Sequence, residues 1–231
     1  MGELVVYDQG QGYMSLPDHG ATRGPGVLVI QEWWGLNEQI RGFCDRLAEH
    51  GFVALAPDLY RGIITKEPDE AGKMMMALNL EQAANDMQGA IAFLTAHPDV
   101  DGKGIGVIGF CMGGGLALLL AAQQPAHLLA CVPFYGVIPW PAAQPDWSQV
   151  RARVQGHYAE RDSSASPEQV RALEQELRAH GVDAEFFIYE GAEHAFTNEM
   201  RPEVYHESHT DAALERAMAF LHETLASESV G

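Results

Sequence analysis

Four stretches of this chain are apolar almost without a break: Gly26 to Gln31 (GVLVIQ), Phe52 to Ala56 (FVALA), Ile105 to Ile108 and Leu128 to Phe134. A strand with one wet face alternates apolar and polar residues, so an uninterrupted run calls for cover on both faces. Helical patterns lie between these runs. Asn37 to His50 places Ile40, Phe43 and Leu47 at core spacing and ends at Gly51. Glu70 to Leu94 is mostly helical, with a break near Asn79, and Met112 to Gln123 is apolar all round. Ser166 to His180 starts with a Ser cap and Pro167 and stops at Gly181, and Pro202 to Leu225 forms a long terminal helix. Val150 to Tyr158 and Glu185 to Tyr189 supply further strands, and Val5 to Tyr7 and Tyr13 to Leu16 are candidate edge strands. Strand–helix alternation of this kind predicts an α/β fold, a mostly parallel sheet of about seven or eight strands with helices on both faces. The 231 residues suit a single domain over 1–231.

Charge and cysteine usage narrow the function. With 14 basic and 32 acidic residues the net charge is -18, and no cluster of Lys and Arg offers a phosphate-binding face. Nucleic acid and anionic membrane are therefore not expected partners. No apolar stretch approaches the roughly 20 residues of a membrane span, and Met1 to Gly10 has no signal-peptide pattern. Cys44, Cys111 and Cys131 are too few and too widely spaced for a disulfide scaffold, which fits a reducing cytoplasm.

Gly109-Phe110-Cys111-Met112-Gly113 carries the chemistry. It follows one strand and opens the apolar helix, as a G-x-S-x-G nucleophile elbow does, here with Cys in place of Ser. The sharp turn leaves no room for side chains two residues on either side, hence the glycines. The helix N-terminus sets unpaired N–H groups beside the sulfur, favouring thiolate and a developing oxyanion. Cys44 and Cys131 sit inside apolar patterns and read as core.

A Cys nucleophile needs a base, and the base an orienting acid. In the α/β-hydrolase fold the chain order is nucleophile, acid, histidine. Asp162 lies just past the strand containing His157, and His194 follows the last strand, so both fall where ligands bind in open α/β sheets. His157, inside its strand, and the neighbouring Glu160 are the rival candidates.

The segments Gln31 to Asn37 (QEWWGLN), Ala56 to Tyr60 (APDLY), Gly109 to Gly114 (GFCMGG) and Gly191 to Phe196 (GAEHAF) resemble the dienelactone hydrolase family of the α/β-hydrolase fold. The resemblance implies cleavage of an ester or lactone, of carboxymethylenebutenolide type or related, through a thiol acyl-enzyme on Cys111, His194 and Asp162. It implies that Glu32 contacts the resting thiol and is linked to its activation. Backbone N–H groups of Trp33 and Met112 are the oxyanion donors expected in this fold. Tyr135 matches a pocket aromatic of the family, or is core at a strand end. Trp34, Arg61, Tyr135 and Phe196 complete the candidate substrate-binding set. Dienelactone-cleaving members hold the substrate carboxylate with arginines. Here Thr197, Asn198, Glu199 and Met200 follow Phe196, and Arg201, Arg61 and Lys66 are the nearest cations. Met74 to Met76 suit a helix core, or with Trp33 and Trp34 a mouth for a bulkier, less charged ester.

Gly104 to Gly109 fits G-x-G-x-x-G but is itself the strand, with no acid twenty residues on, so no dinucleotide is expected. His206 and His209, three apart, lack zinc-helix spacing. Neither a metal nor a cofactor is expected, and the partner is a small ester or lactone, bound by a monomer or small homo-oligomer. The rival functions are a redox-sensing or ligand-binding, non-catalytic member of the fold, and a thioesterase, peptidase or acyltransferase on the same triad.

Overall fold

A computed structural model of the chain describes residues 2–8, 10–17 and 23–226, with backbone only at 103. Its strands are β1 (Glu3–Tyr7), β2 (Gly10–Ser15), β3 (Gly24–Ile30), β4 (Val53–Pro57), β5 (Val100–Phe110), β6 (Leu128–Phe134), β7 (Arg153–Arg161) and β8 (Ala184–Glu193). The helices are α1 (Glu38–Glu49), α2 (Pro68–Met76), α3 (Leu80–Ala96), α4 (Met112–Gln123), α5 (Pro167–Ala179) and α6 (Glu207–Leu225). One eight-stranded sheet runs in the order β1-β2-β4-β3-β5-β6-β7-β8. β1 and β2 are antiparallel additions at one edge, and β4 to β8 with β3 form the parallel body.

The uninterrupted apolar runs are covered on both faces, as their composition demands. In β3, Leu28 and Ile30 pack with α3 and α4 on one face, while Val27 and Val29 pack with α1 and α6 on the other. Local signals set several boundaries. Asn37 caps α1 through its side chain, Asn79 splits α2 from α3 by capping the latter, and Ser166 with Gln169 forms a reciprocal capping box on α5.

Several expected boundaries move: β5 runs over Val100–Phe110 rather than Ile105 to Ile108, β2 begins at Gly10 rather than Tyr13, and β8 continues to Glu193 rather than Tyr189. α6 starts at Glu207, not Pro202, because residues 202–206 turn back toward the loop after β8: His206 N–H and Thr210 Oγ1 both donate to the Phe196 carbonyl, at 2.9 and 3.0 Å. β7 starts at Arg153, not Val150, because Trp147–Gln149 close a short 3-10 turn first.

After β3 the chain steps to β4 on one side, then returns to lay β5 on the other side of β3. Loops leaving β3 and β5 therefore diverge and open a crevice at their C-terminal ends, where open α/β sheets bind ligands. Glu32, Trp33 and Cys111 lie on those two loops.

Candidate active site

Cys111 is the one residue between β5 and α4, and its backbone has φ 54° and ψ -117°. A positive φ strains any residue with a Cβ, and such strain concentrates at functional sites. The flanking glycines make the turn possible. A Cβ on Gly109 would overlap the Gly113 carbonyl, and one on Gly113 would overlap the carbonyl oxygens of Ile30 and Gln31. Those are backbone atoms of α4, of β3 and of the residue just after it, and cannot rotate away as a side chain can. Gly113→Ala is therefore expected to cost about 3 kcal/mol or more in a urea unfolding titration, and an unchanged midpoint would contradict this packing. α4 begins at Met112; the N–H groups of Gly114 and Gly115 donate to the Cys111 carbonyl at 3.0 and 3.4 Å, so those of Met112 and Gly113 are the first-turn donors left for an oxyanion.

His194 lies directly after β8 and Asp162 directly after β7, which brings two residues 32 positions apart together: His194 Nδ1 is 2.7 Å from Asp162 Oδ2. The other oxygen of the Asp162 carboxylate accepts the N–H groups of Ser164 and Ala165, at 2.7 and 3.0 Å. Burial works against this carboxylate, but its bonds to His194 and to the two amides win and hold its pKa below the ordinary value. Burial likewise opposes a charged His194, yet the bonds to Asp162 and to the Cys111 thiol push its pKa up to about 10. His194 thus bridges Asp162 and Cys111.

These shifts fix a pH window for stability. The depressed Asp162 contributes stability above its unfolded value of 3.8 that is lost at lower pH, and the elevated His194 contributes stability below 6.5 that is lost as pH rises toward about 10. The difference in urea midpoint between the native protein and Asp162→Asn should therefore be largest between about pH 4 and 6.5 and shrink on both sides. A difference constant from pH 3 to 10 would contradict this coupling.

Glu32 follows β3 and is 1% exposed. Its Oε1 accepts from Tyr135 Oη at 3.1 Å and its Oε2 from Asn198 Nδ2 at 3.0 Å. The hydroxyls of Tyr135 and Thr197 bond at 2.7 Å. Burial pushes the Glu32 carboxyl up, offset in part by the charge of His194 and by these donors. Glu32 thus meets neutral donors, and the contact with the resting thiol implied by the family likeness is not among its hydrogen bonds. Tyr135 is both things the sequence allowed: fully buried at the end of β6, with φ 38°, it lines the cavity at Cys111 and packs edge-on to His194 at 5.2 Å.

That cavity encloses about 140 Å³, with Trp33, Met75, Met112 and Val137 among its walls. A second cavity of about 430 Å³ lies across Trp33 and is lined by Trp34, Lys66, Asn198 and Arg201 among others. Several sequence expectations change here. Arg61 does not reach the site: its guanidinium grips both Asp86 oxygens at 3.1 Å and borders a separate cavity. Phe196 is fully buried against Tyr135 and Tyr189 and lines neither chamber, because the chain at Ala195 (φ 66°) turns its ring into the core. Trp34 lies in the outer cavity only, edge-on to Trp33. The helix containing Met74 to Met76 is half-buried rather than core: Met75 walls the inner cavity and Met76 is 60% exposed.

The rival candidates have other partners. His157 is fully buried in β7 between Tyr189 Oη and Gln155 Oε1, and burial with the nearby Arg216 drops its pKa to about 3. Glu160 accepts the Gly191 N–H at 2.8 Å. Thr197, Asn198 and Ser164 carry no motif and were missed in the sequence. The only local hint is a polar Thr-Asn pair directly after the apolar Phe196. Cys44 and Cys131 are buried, which pushes both thiols up. Among the described residues no group of three His, Cys, Asp or Glu side chains is placed to hold a metal, and no helix is long and apolar enough to cross a membrane.

Residues 11–225 match the model of the dienelactone hydrolase family. The chain belongs to that family. It is a hydrolase of the dienelactone hydrolase type. Protein usf of Aquifex pyrophilus is 34% identical over 97% of the chain and 100% of its own length. A protein of Aquifex aeolicus provisionally named a carboxymethylenebutenolidase is 33% identical, covering 95% of the chain and 97% of itself. Among solved structures, a provisionally named dienelactone hydrolase of Klebsiella pneumoniae superposes with a TM-score of 0.85 at 28% identity, covering 96% of this chain and 98% of its own. A dienelactone hydrolase-like promiscuous phosphotriesterase from metagenomic libraries gives 0.83 at 25%, covering 98% and 99%.

Proposed function

We propose that this hydrolase cleaves a carboxylic ester or lactone through a thiol acyl-enzyme, with Cys111 as nucleophile, His194 as base and Asp162 as its orienter. The observation that carries the reading is the strained Cys111 elbow beside a His194 whose Nδ1 is 2.7 Å from Asp162. His194 holds the Cys111 thiol proton as sulfur bonds to the carbonyl carbon and the C=O π pair moves to oxygen. The resulting oxyanion is held by the backbone N–H groups of Met112 and Trp33. When the tetrahedral intermediate collapses, the C–O bond breaks and His194 returns its proton to the leaving alkoxide. Water, deprotonated by His194, then attacks the thioester; the C–S bond breaks and releases the acid and the free thiol.

Glu32 lies behind Tyr135 in this reading and stabilises the His194 imidazolium across the site. The free thiols support action in a reducing cytoplasm. The test is to mix the enzyme with an excess of p-nitrophenyl ester, quench within the first turnover and map the peptides. An acyl mass added to the Cys111 peptide supports the reading. Turnover with no adduct on Cys111, combined with full activity after Cys111 is alkylated by iodoacetamide, would overturn it.

A further inference from the structure

The chamber at Cys111 has no Lys or Arg to offer a substrate. Its walls are Trp33, Met75, Met112, Val137 and Pro139, with Ser164 at the side, and among the described residues no Lys, Arg, Asp or Glu lines it. The nearby cations are committed elsewhere. Arg61 holds Asp86, Arg201 pairs with Glu203 at 2.9 Å in the outer cavity, and Lys66 borders that outer cavity only. His194 is engaged by Asp162. Glu32, buried behind Tyr135, and Asp162, bonded to His194, are carboxyl groups and offer an anion no attraction. An acyl group bearing a carboxylate would thus lose its hydration and gain no cation, a cost that apolar walls do not repay. A neutral acyl group meets no such cost.

Size adds a second limit. At about 140 Å³ the inner chamber is about a third the size of the outer cavity of about 430 Å³, so a long acyl chain outgrows it first. Met75, from α2, is one wall of this chamber, while the outer cavity offers Trp34, Ile64, Pro68 and Met200 across Trp33. We infer that the enzyme selects esters of short, uncharged acids, the acyl group in the inner chamber and a bulkier apolar alcohol over Trp33 in the outer one. This rests on thiol hydrolysis at Cys111 as proposed above.

The test varies charge, acyl length and alcohol separately. For charge, p-nitrophenyl methyl succinate is compared with p-nitrophenyl hemisuccinate, and the neutral ester should lead at least tenfold in kcat/KM. For length, p-nitrophenyl butyrate should exceed the octanoate at least tenfold. Met75→Ala should raise the octanoate-to-butyrate ratio about tenfold, whereas Met76→Ala, at an exposed position outside the chamber, should leave it unchanged. For the alcohol, benzyl butyrate should exceed ethyl butyrate at least fivefold, and Trp34→Ala should erase that preference. A hemisuccinate cleaved as well as its methyl ester, a preference for octanoate, or equal ratios in the two Met variants would overturn the inference. So would an ethyl ester cleaved as fast as the benzyl ester. If activity depends on Cys111 and these preferences fail, the selectivity alone is wrong. If no ester is cleaved, or if Cys111→Ala retains turnover, the hydrolytic reading falls and the selectivity with it.

Discussion

Cys111→Ala is expected to lower kcat on any ester the native enzyme cleaves by about 10⁴-fold or more, with little change in KM. Removing the sulfur removes the atom that forms the acyl-enzyme, yet leaves the cavity walls and the backbone donors of Met112 and Trp33 in place. Binding should therefore survive while chemistry is lost. The strained φ of 54° makes Ala no worse than Cys for the backbone, since both carry a Cβ, so folding should be preserved. Cys111→Ser separates the roles further. It keeps a nucleophilic atom of smaller radius and much higher intrinsic pKa, and should retain a small residual turnover above the Ala variant. Initial-rate kinetics on p-nitrophenyl butyrate, with circular dichroism as the folding control, measures both. A folded Cys111→Ala protein within tenfold of the native rate would refute the thiol mechanism.

Asp162→Asn is the second large effect, a fall in kcat of about 10³- to 10⁴-fold. The buried carboxylate accepts from His194 Nδ1 at 2.7 Å and from two backbone amides through its other oxygen. An Asn there has one oxygen and one NH₂. If the oxygen stays with the Ser164 and Ala165 amides, the NH₂ faces Nδ1 and turns it into an acceptor. His194 then carries its proton on Nε2 and presents an N–H, not a lone pair, on its other edge. The part of the bias toward a charged His194 that Asp162 supplies is lost with the carboxylate charge, while the part from Cys111 remains. The His194 resonance in proton NMR should accordingly titrate at clearly lower pH in the variant than in the native enzyme. An unchanged titration with unchanged kcat would show that Asp162 merely caps the turn at Ser164.

Much of the architecture was legible because it depends on near neighbours. Continuous apolar runs required cover on both faces, and β3 and β4 have it. Ser166 with Pro167, Asn37, and the break at Asn79 marked helix starts through groups only three residues away. The elbow could be read because Gly-x-Cys-x-Gly between a strand and an apolar helix admits few backbone paths. The start of α6 could not be read, since Phe196 sets it from outside the helix.

The sequence alone thus determined the strand–helix alternation, the turn at Cys111, and the order in which Cys111, Asp162 and His194 arrive at one sheet edge. Only the tertiary structure decided what these residues touch. Glu32 meets Tyr135 and Asn198, which lie 103 and 166 positions away. Arg61 turns to Asp86, Phe196 turns into the core, and Met75 walls the chamber that Cys111 lines. Local preference constrains a backbone through the nearest few residues. A side chain's partner is chosen by which distant surfaces the packed sheet brings within a few ångströms, and nothing adjacent in the chain records that choice.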